Sequence, residues 1–302
     1  MEISILEVFR SIFLGIVQGL SEFLPISSSG HLVIIPFLLK WDFLPLYSTV
    51  SLHFATLLSL IVIFYRDIWR IISVFLKGIF IKSSRKNQYF KLAIFIIIGS
   101  IPAAIIGFFL NDFIESFFSK PLFVAIFLII TALILIIGEF LGNKIEIKSK
   151  IKFYNKSNIG KSENIKTGNE KNLKQLNYFN SFIIGISQAI AIFPGLSRSG
   201  LTISFGRFFG IKREECVKFS FFLSIPVIFG AFIFEVINSS SEIFSQSNNI
   251  FIYMLISFIF SFLSGVFAIK FLLNLAKKRN LNYFAVYCIL ISIITFIFII
   301  AR

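Results

Sequence analysis

The stretch QGLSEFLPISSSGHL, residues 18–32, puts a carboxylate, three consecutive serines and a histidine inside sequence that is otherwise close to a membrane span. Ionisable groups at bilayer depth cost from about 2.5 kcal/mol on insertion scales to far more in simulations, so they persist where a function needs them. Glu22 and His31 therefore call for a partner or a ligand. An apolar arm ends at Leu24, Pro25 interrupts it, and Ser27, Ser28, Ser29 and Gly30 precede a second apolar arm over 32–39. The pattern predicts a helix, a polar tip and a returning helix. Such broken backbone is tolerated in a membrane only where it is buried in protein or lines a wet cavity.

With 57% hydrophobic residues over 302 positions and a mean hydropathy of +0.89, the chain is of the polytopic membrane class and has no room for a large soluble domain. Its net charge of +14 is expected from Lys- and Arg-rich cytoplasmic loops, not from nucleic-acid binding. Glu2 and Glu7 stand where a signal peptide would carry basic residues, and no cleaved signal is expected. Cys216 and Cys288 are far apart, beside or within apolar segments, and suggest neither a disulfide nor a metal site. The 42 phenylalanines are assigned no ligand role.

Six spans are expected, over residues 47–65, 92–110, 121–141, 217–237, 250–273 and 281–300, each long enough to cross a core of about 30 Å. Arg66, Arg70, Lys77, Lys82, Arg85, Lys86 and Lys91 gather in one connection, which the positive-inside rule makes cytoplasmic. By alternation, the short connection holding Asp112, Glu115 and Lys120 is external. Between 142 and 177 nine lysines outnumber three glutamates, which reads as a flexible cytoplasmic linker.

A second interrupted segment runs from an apolar arm at 179–193 through PGLSRSG, residues 194–200, to an arm ending near Phe209. An offset of 170 pairs Gly15 with Gly185, Gln18 with Gln188, Phe23 with Phe193, Ser27 with Ser197, Ser29 with Ser199 and Gly30 with Gly200. Six matches in so short a window indicate an internal repeat. The expected architecture is all-α: six transmembrane helices plus two re-entrant hairpins in inverted-topology repeats, about 1–141 and 178–302, around the linker 142–177. Sites of such folds lie near the midplane where broken helices meet. An ordinary crossing helix over 5–24 is the alternative, and it would leave 32–39 an awkwardly short partner.

Arg198 carries a planar fork of donors suited to phosphate oxygens. Gly195 and Gly200 let successive N–H groups converge on an anion, and a helix starting after Ser197 adds its positive end. Ser197, Ser199 and Thr202 add hydroxyls. At the first tip, Gln18 and Glu22 share one helix face at i, i+4, an oxygen-rich setting suited to Mg²⁺ or Ca²⁺ beside a substrate phosphate. His31 has the chemistry of a general acid, base or nucleophile. His53, Glu139 and Glu235 fall into no motif and are expected to be satisfied or interfacial groups; Arg66 is expected to anchor topology.

GIVQGLSEFLPISSSGHL (15–32) and FPGLSRSGLTIS (193–204) closely resemble the two signature motifs of the undecaprenyl-diphosphate phosphatases, the bacitracin-resistance family of bacterial inner membranes. FSFFLSIPVIFGA (219–231) and AIKFLL (268–273) extend the resemblance over nearly the whole chain. It implies removal of one phosphate from undecaprenyl diphosphate, giving the carrier lipid phosphate of peptidoglycan synthesis, with a divalent cation and a site open to the outer face. It carries the acidic motif onto Gln18 and Glu22, the serine-histidine motif onto Ser27, Ser28 and His31, and the arginine motif onto Ser197, Arg198, Ser199 and Thr202. Position 18 is Gln where many members have Glu, which concentrates the load on Glu22; the Lys-rich linker also looks longer than is usual.

The expected mechanism clamps the diphosphate between Arg198, the tip amides and a cation held by Glu22, with Ser27, Ser29, Ser197, Ser199, Gly200 and Thr202 binding substrate. The nucleophile is open among Ser28, His31 and water. Expected partners are a polyprenyl diphosphate lipid and membrane lipids, without nucleic acid, and with a homodimer as an option. A flippase or transporter of the lipid phosphate is the competing reading, because inverted repeats are also transporter architecture; a channel fits less well, since the polar groups cluster at two tips.

Overall fold

The computed structural model describes residues 4–158, 176–239 and 248–301, and within them every regular element is helical. In chain order these are α1 (Ile5–Phe23), α2 (Ser28–Leu39), α3 (Leu46–Phe80), α4 (Gln88–Phe109), α5 (Asn111–Glu115), α6 (Pro121–Asn158), α7 (Tyr178–Ile190), α8 (Arg198–Phe208), α9 (Arg213–Asn238), α10 (Asn248–Lys278) and α11 (Asn282–Ile300). Six of them, α3, α4, α6, α9, α10 and α11, are long and apolar enough to cross a membrane, in agreement with the six expected spans. The 12 residues of α2, 13 of α7 and 11 of α8 make helices of only about 16–20 Å at 1.5 Å per residue. They fall well short of a hydrocarbon core of about 30 Å.

The helix pairs α1–α2 and α7–α8 are built alike. In each, a serine caps the second helix by accepting the N–H of a glycine three residues on, Gly30 to Ser27 at 3.2 Å and Gly200 to Ser197 at 3.1 Å. Each first helix also lies against a long helix far away in sequence, α1 on α10 and α7 on α4. These contacts are made through small residues: a Cβ on Gly15 would strike the Ser257 carbonyl, and one on Gly185 would strike the Gly99 backbone. Close backbone approach of this kind is how helices pack where lipid offers no hydrophobic drive. Ser181 Oγ donates to Phe95 O across the α7–α4 contact, and Ser264 Oγ to Gly15 O at 3.4 Å across the α10–α1 contact. A buried aromatic cluster of Phe23, Phe64, Phe221 and Phe222 fixes α1, α3 and α9 to one another.

Two expected boundaries are corrected. The first span was expected to end at Tyr65, but α3 continues for 35 residues to Phe80, with one non-helical position at Phe64 (φ −106°, ψ 21°). Arg66, Arg70 and Lys77 are therefore helical, and the connection proper is a short 3-10 turn at Lys82–Lys86. Arg85 closes α3 by donating to the carbonyls of Gly78 at 2.8 Å and Ile79 at 3.2 Å. The segment 142–177 was expected to be a flexible linker from its start, yet α6 runs on to Asn158. Its composition signals departure from the membrane rather than an end of helix, since Lys and Glu are good helix formers. Arg207 holds this extension by donating to Asn143 Oδ1 at 2.8 Å and lying 3.5 Å from Glu146. The rest of that segment, 159–175, and most of the connection 238–249 lie outside the described residues.

Candidate active site

The two tips meet. Ser27 Oγ, at the first tip, accepts the Gly195 N–H of the second at 3.1 Å, and Ser199 Oγ donates back to Leu24 O at 3.0 Å. Two backbone conformations make this approach available: Gly195 sits at φ +101° and Ser27 at φ +67°. The first is ordinary for glycine, whereas the second is sparsely populated for a residue with a side chain. Thr131 of α6 braces the second tip with one hydroxyl, donating to Gly195 O and accepting Ser197 N–H, both at 3.0 Å.

Four side chains converge on the carboxylate of Glu22, which is only 5% exposed. Arg198 Nη2, from the start of α8, meets Oε1 at 2.5 Å. The other oxygen, Oε2, accepts the Ser28 hydroxyl at 2.6 Å and Gln18 Nε2 at 2.9 Å. His53 Nε2, from α3, lies 3.3 Å from that same oxygen. The i, i+4 relation of Gln18 and Glu22 thus holds as expected, and the two tips do bring Glu22, Ser28 and Arg198 to one point.

The other expected site residues have different partners. His31 is buried, with Nδ1 2.7 Å from Ser27 O and Nε2 2.8 Å from the Tyr287 hydroxyl. A carbonyl only accepts, so Nδ1 carries the proton and Nε2 accepts from Tyr287. Both ring nitrogens are taken, and the ring stacks on that of Tyr287 at 5.5 Å. His31 therefore secures the strained Ser27 rather than touching Glu22. Thr202 Oγ1 bonds Ser220 Oγ at 2.7 Å and the Arg198 carbonyl at 2.8 Å, fixing the first turn of α8 against α9. Ser29 lies 3.4 Å from Ser27 Oγ, and Ser197 Oγ 3.2 Å from Ser199 Oγ. These hydroxyls hold the tips in shape.

His53 is the residue that reasoning from motifs missed. The available signal was general: an ionisable side chain inside a span is a functional candidate by default. Its Nδ1 is 2.8 Å from Thr49 O, one turn earlier, which aims Nε2 at Glu22. Thr49 in turn lines a cavity of about 280 Å³ that is bounded also by Leu32, Leu44, Glu115 and Phe118.

A divalent cation fits this donor set in a limited way. Gln18 Oε1 is buried without a hydrogen-bond partner, and it belongs to the amide whose nitrogen already touches Glu22. One carboxylate and one free amide oxygen suit a hard cation that draws its remaining ligands from phosphate oxygens and water, as Mg²⁺ commonly does.

Comparison with known proteins agrees with the geometry. The family described as "Bacitracin resistance protein BacA" matches residues 11–294. Proteins named undecaprenyl-diphosphatase are similar along almost their whole length. That of Halothermothrix orenii is 38% identical over 292 residues, covering 97% of this chain and 98% of the relative. That of Thermosipho africanus is 39% identical over 286 residues, with 94% and 98% covered.

Proposed function

This chain belongs to the bacitracin resistance protein BacA family, and from that premise we infer that it is an undecaprenyl-diphosphatase. It hydrolyses undecaprenyl diphosphate to undecaprenyl phosphate and inorganic phosphate, recycling the cell-wall carrier lipid and so conferring resistance to bacitracin. The observation that carries this reading at the site is the convergence of Ser28 and Arg198, 170 positions apart, on the buried Glu22 carboxylate.

Phosphoryl transfer needs positioning and charge neutralisation more than elaborate covalent machinery. Ser28 Oγ attacks the terminal phosphorus while the bond from that phosphorus to the bridging oxygen breaks. The Ser28 proton passes to the Glu22 oxygen its hydroxyl already touches, and the lipid phosphate departs. Water then cleaves the phosphate from Ser28. Arg198 holds the charge that develops on the equatorial oxygens, which is the largest contribution such a site makes. Glu22 and Gln18 Oε1 are the groups that would hold Mg²⁺ or Ca²⁺, whose charge would further neutralise the diphosphate. Ser28 is favoured over His31 as nucleophile because both His31 nitrogens are occupied.

The helix pairs α1–α2 and α7–α8 are re-entrant hairpins of inverted repeats, about 1–141 and 178–302. The matching caps and the matched α1–α10 and α7–α4 contacts support this. The basic residues at 66–91, 144–174, 207–213 and 277–279 put those regions in the cytoplasm, so the first hairpin enters from outside and the site opens to the outer face of the inner membrane. The cavity beside Thr49 supports that opening, since Glu115, Phe118 and Ser119 of the expected external connection line it.

Purified protein in detergent, given undecaprenyl diphosphate and Mg²⁺ or Ca²⁺, should release inorganic phosphate, and Ser28→Ala should stop it. Monodisperse wild-type protein that releases none would overturn the phosphatase reading in favour of a lipid-phosphate transporter, because detergent offers no second compartment.

A further inference from the structure

We propose that His53 contacts the diphosphate headgroup, forming with Ser28 and Arg198 the third side of the site; the proposal rests on the phosphatase reading above. The chain has two histidines, and the one outside any motif is the one that reaches the reacting groups. His53 Nε2 and Ser28 Oγ lie on the same Glu22 oxygen, at 3.3 Å and 2.6 Å. An oxyanion that draws Ser28 and Arg198 to itself is therefore within reach of His53.

The orientation of the ring is fixed, not incidental. Thr49 O accepts from Nδ1 at 2.8 Å, so the contact of Nε2 with the Glu22 oxygen requires a second ring proton, and that N–H is directed to where the two tips converge. The His53 side chain is 23% exposed against 3% for Glu22, so His53 stands on the open side of the cluster. Thr49, one turn before His53 on α3, lines the cavity of about 280 Å³. His31 has no such freedom: its two nitrogens are held by Ser27 O and the Tyr287 hydroxyl.

Because the histidines are two, diethyl pyrocarbonate, which acylates imidazole nitrogen, separates them when adducts are located by mass spectrometry. The full chain in detergent should acquire the adduct at His53 and not at His31. Inorganic pyrophosphate with Mg²⁺, at about ten times its Kd, should slow His53 modification about tenfold by occupying the site. His53→Ala should lower kcat/KM about tenfold or more, equal to about 1.4 kcal/mol, and His53→Gln, which keeps an N–H donor, should recover part of the loss. The proposal falls if His53 does not react, if pyrophosphate leaves its rate unchanged, or if His53→Ala turns over with wild-type kcat and KM. Wild-type protein whose His53 is protected by pyrophosphate, but which releases no phosphate from the lipid, would keep His53 as an anion contact and sink the phosphatase reading alone.

Discussion

Two buried carboxylates in this protein are each paired with an arginine, and they are held in opposite ways. Glu139, 3% exposed, is gripped by both sides of one guanidinium, Arg213 Nε to Oε1 at 2.7 Å and Nη2 to Oε2 at 2.6 Å. Glu22 receives a single nitrogen of Arg198, and its other oxygen is shared among Ser28, Gln18 and His53. The bidentate fork uses the geometry that makes Arg–carboxylate pairs strong and specific. It joins α6 to α9, and the Leu281 N–H, just before α11, adds a further contact to Glu139 at 3.4 Å. The Glu22 arrangement leaves most of the Arg198 fork uncommitted to the carboxylate. One pair fastens two long helices; the other joins the two tips.

The sharpest test of that contrast is to remove each charge in turn. Glu22→Gln should lower phosphate release by about 10²–10⁴, the usual worth of a positioned proton acceptor, while the protein stays folded and monodisperse. Wild-type-like release from such a preparation would remove Glu22 from the mechanism. Glu139→Gln should do the reverse. Leaving Arg213 without its partner should destabilise the fold by about 3–5 kcal/mol, seen as a lowered melting temperature, with turnover retained by the fraction that remains folded. A Glu139→Gln protein of normal stability but no activity would erase the distinction.

Arg198→Lys sharpens the comparison from the other side, since it keeps the charge and discards the fork. Loss of even one charged hydrogen bond costs about 1.5–3 kcal/mol, so turnover should fall well over tenfold. A fall of less than about threefold, under ~0.7 kcal/mol, would mean that Arg198 acts as a point charge. The smallest effect is expected from the Lys-rich segment that follows α6 in the sequence. Replacing residues 159–170, polar and Lys-rich, with a short Gly/Ser connection should change phosphate release in detergent by less than about twofold, and loss of both folding and activity would show that this segment packs on the core.

What could be read in the sequence followed from whether neighbours in space were also neighbours in a motif. Glu22, Ser28 and Arg198 were legible because each sits in a polar tip that interrupts an apolar arm, and the offset of 170 related the two tips. The six spans were legible from hydropathy alone. His53 was not, because α3 brings it to Glu22 from a separate helix and no local motif marks it beyond its being ionisable within a span. Glu139, Arg207 and Arg213 were hidden for the same reason: their pairing depends on α6 lying beside α8 and α9. The helical course of 142–158 was obscured differently. Low hydropathy there resembles loss of structure but reflects only departure from lipid. His31 shows the limit of motif reasoning, since its position in the serine-histidine motif is compatible with a ring that faces Tyr287.

The contact of α1 with α10 has a consequence in time. Glu22 lies on a helix whose principal neighbour is made through Gly15 against Ser257, more than two hundred residues later in the chain. At roughly 5–20 residues per second, the ribosome makes the rest of the molecule for on the order of 10–45 s before that neighbour exists. For most of that interval the first tip, with its carboxylate, has neither Arg198 nor α10 beside it. The order of synthesis thus makes the N-terminal helix one of the last to find its place, and a chain cut short before α10 carries every motif of the site without the helix that seats them.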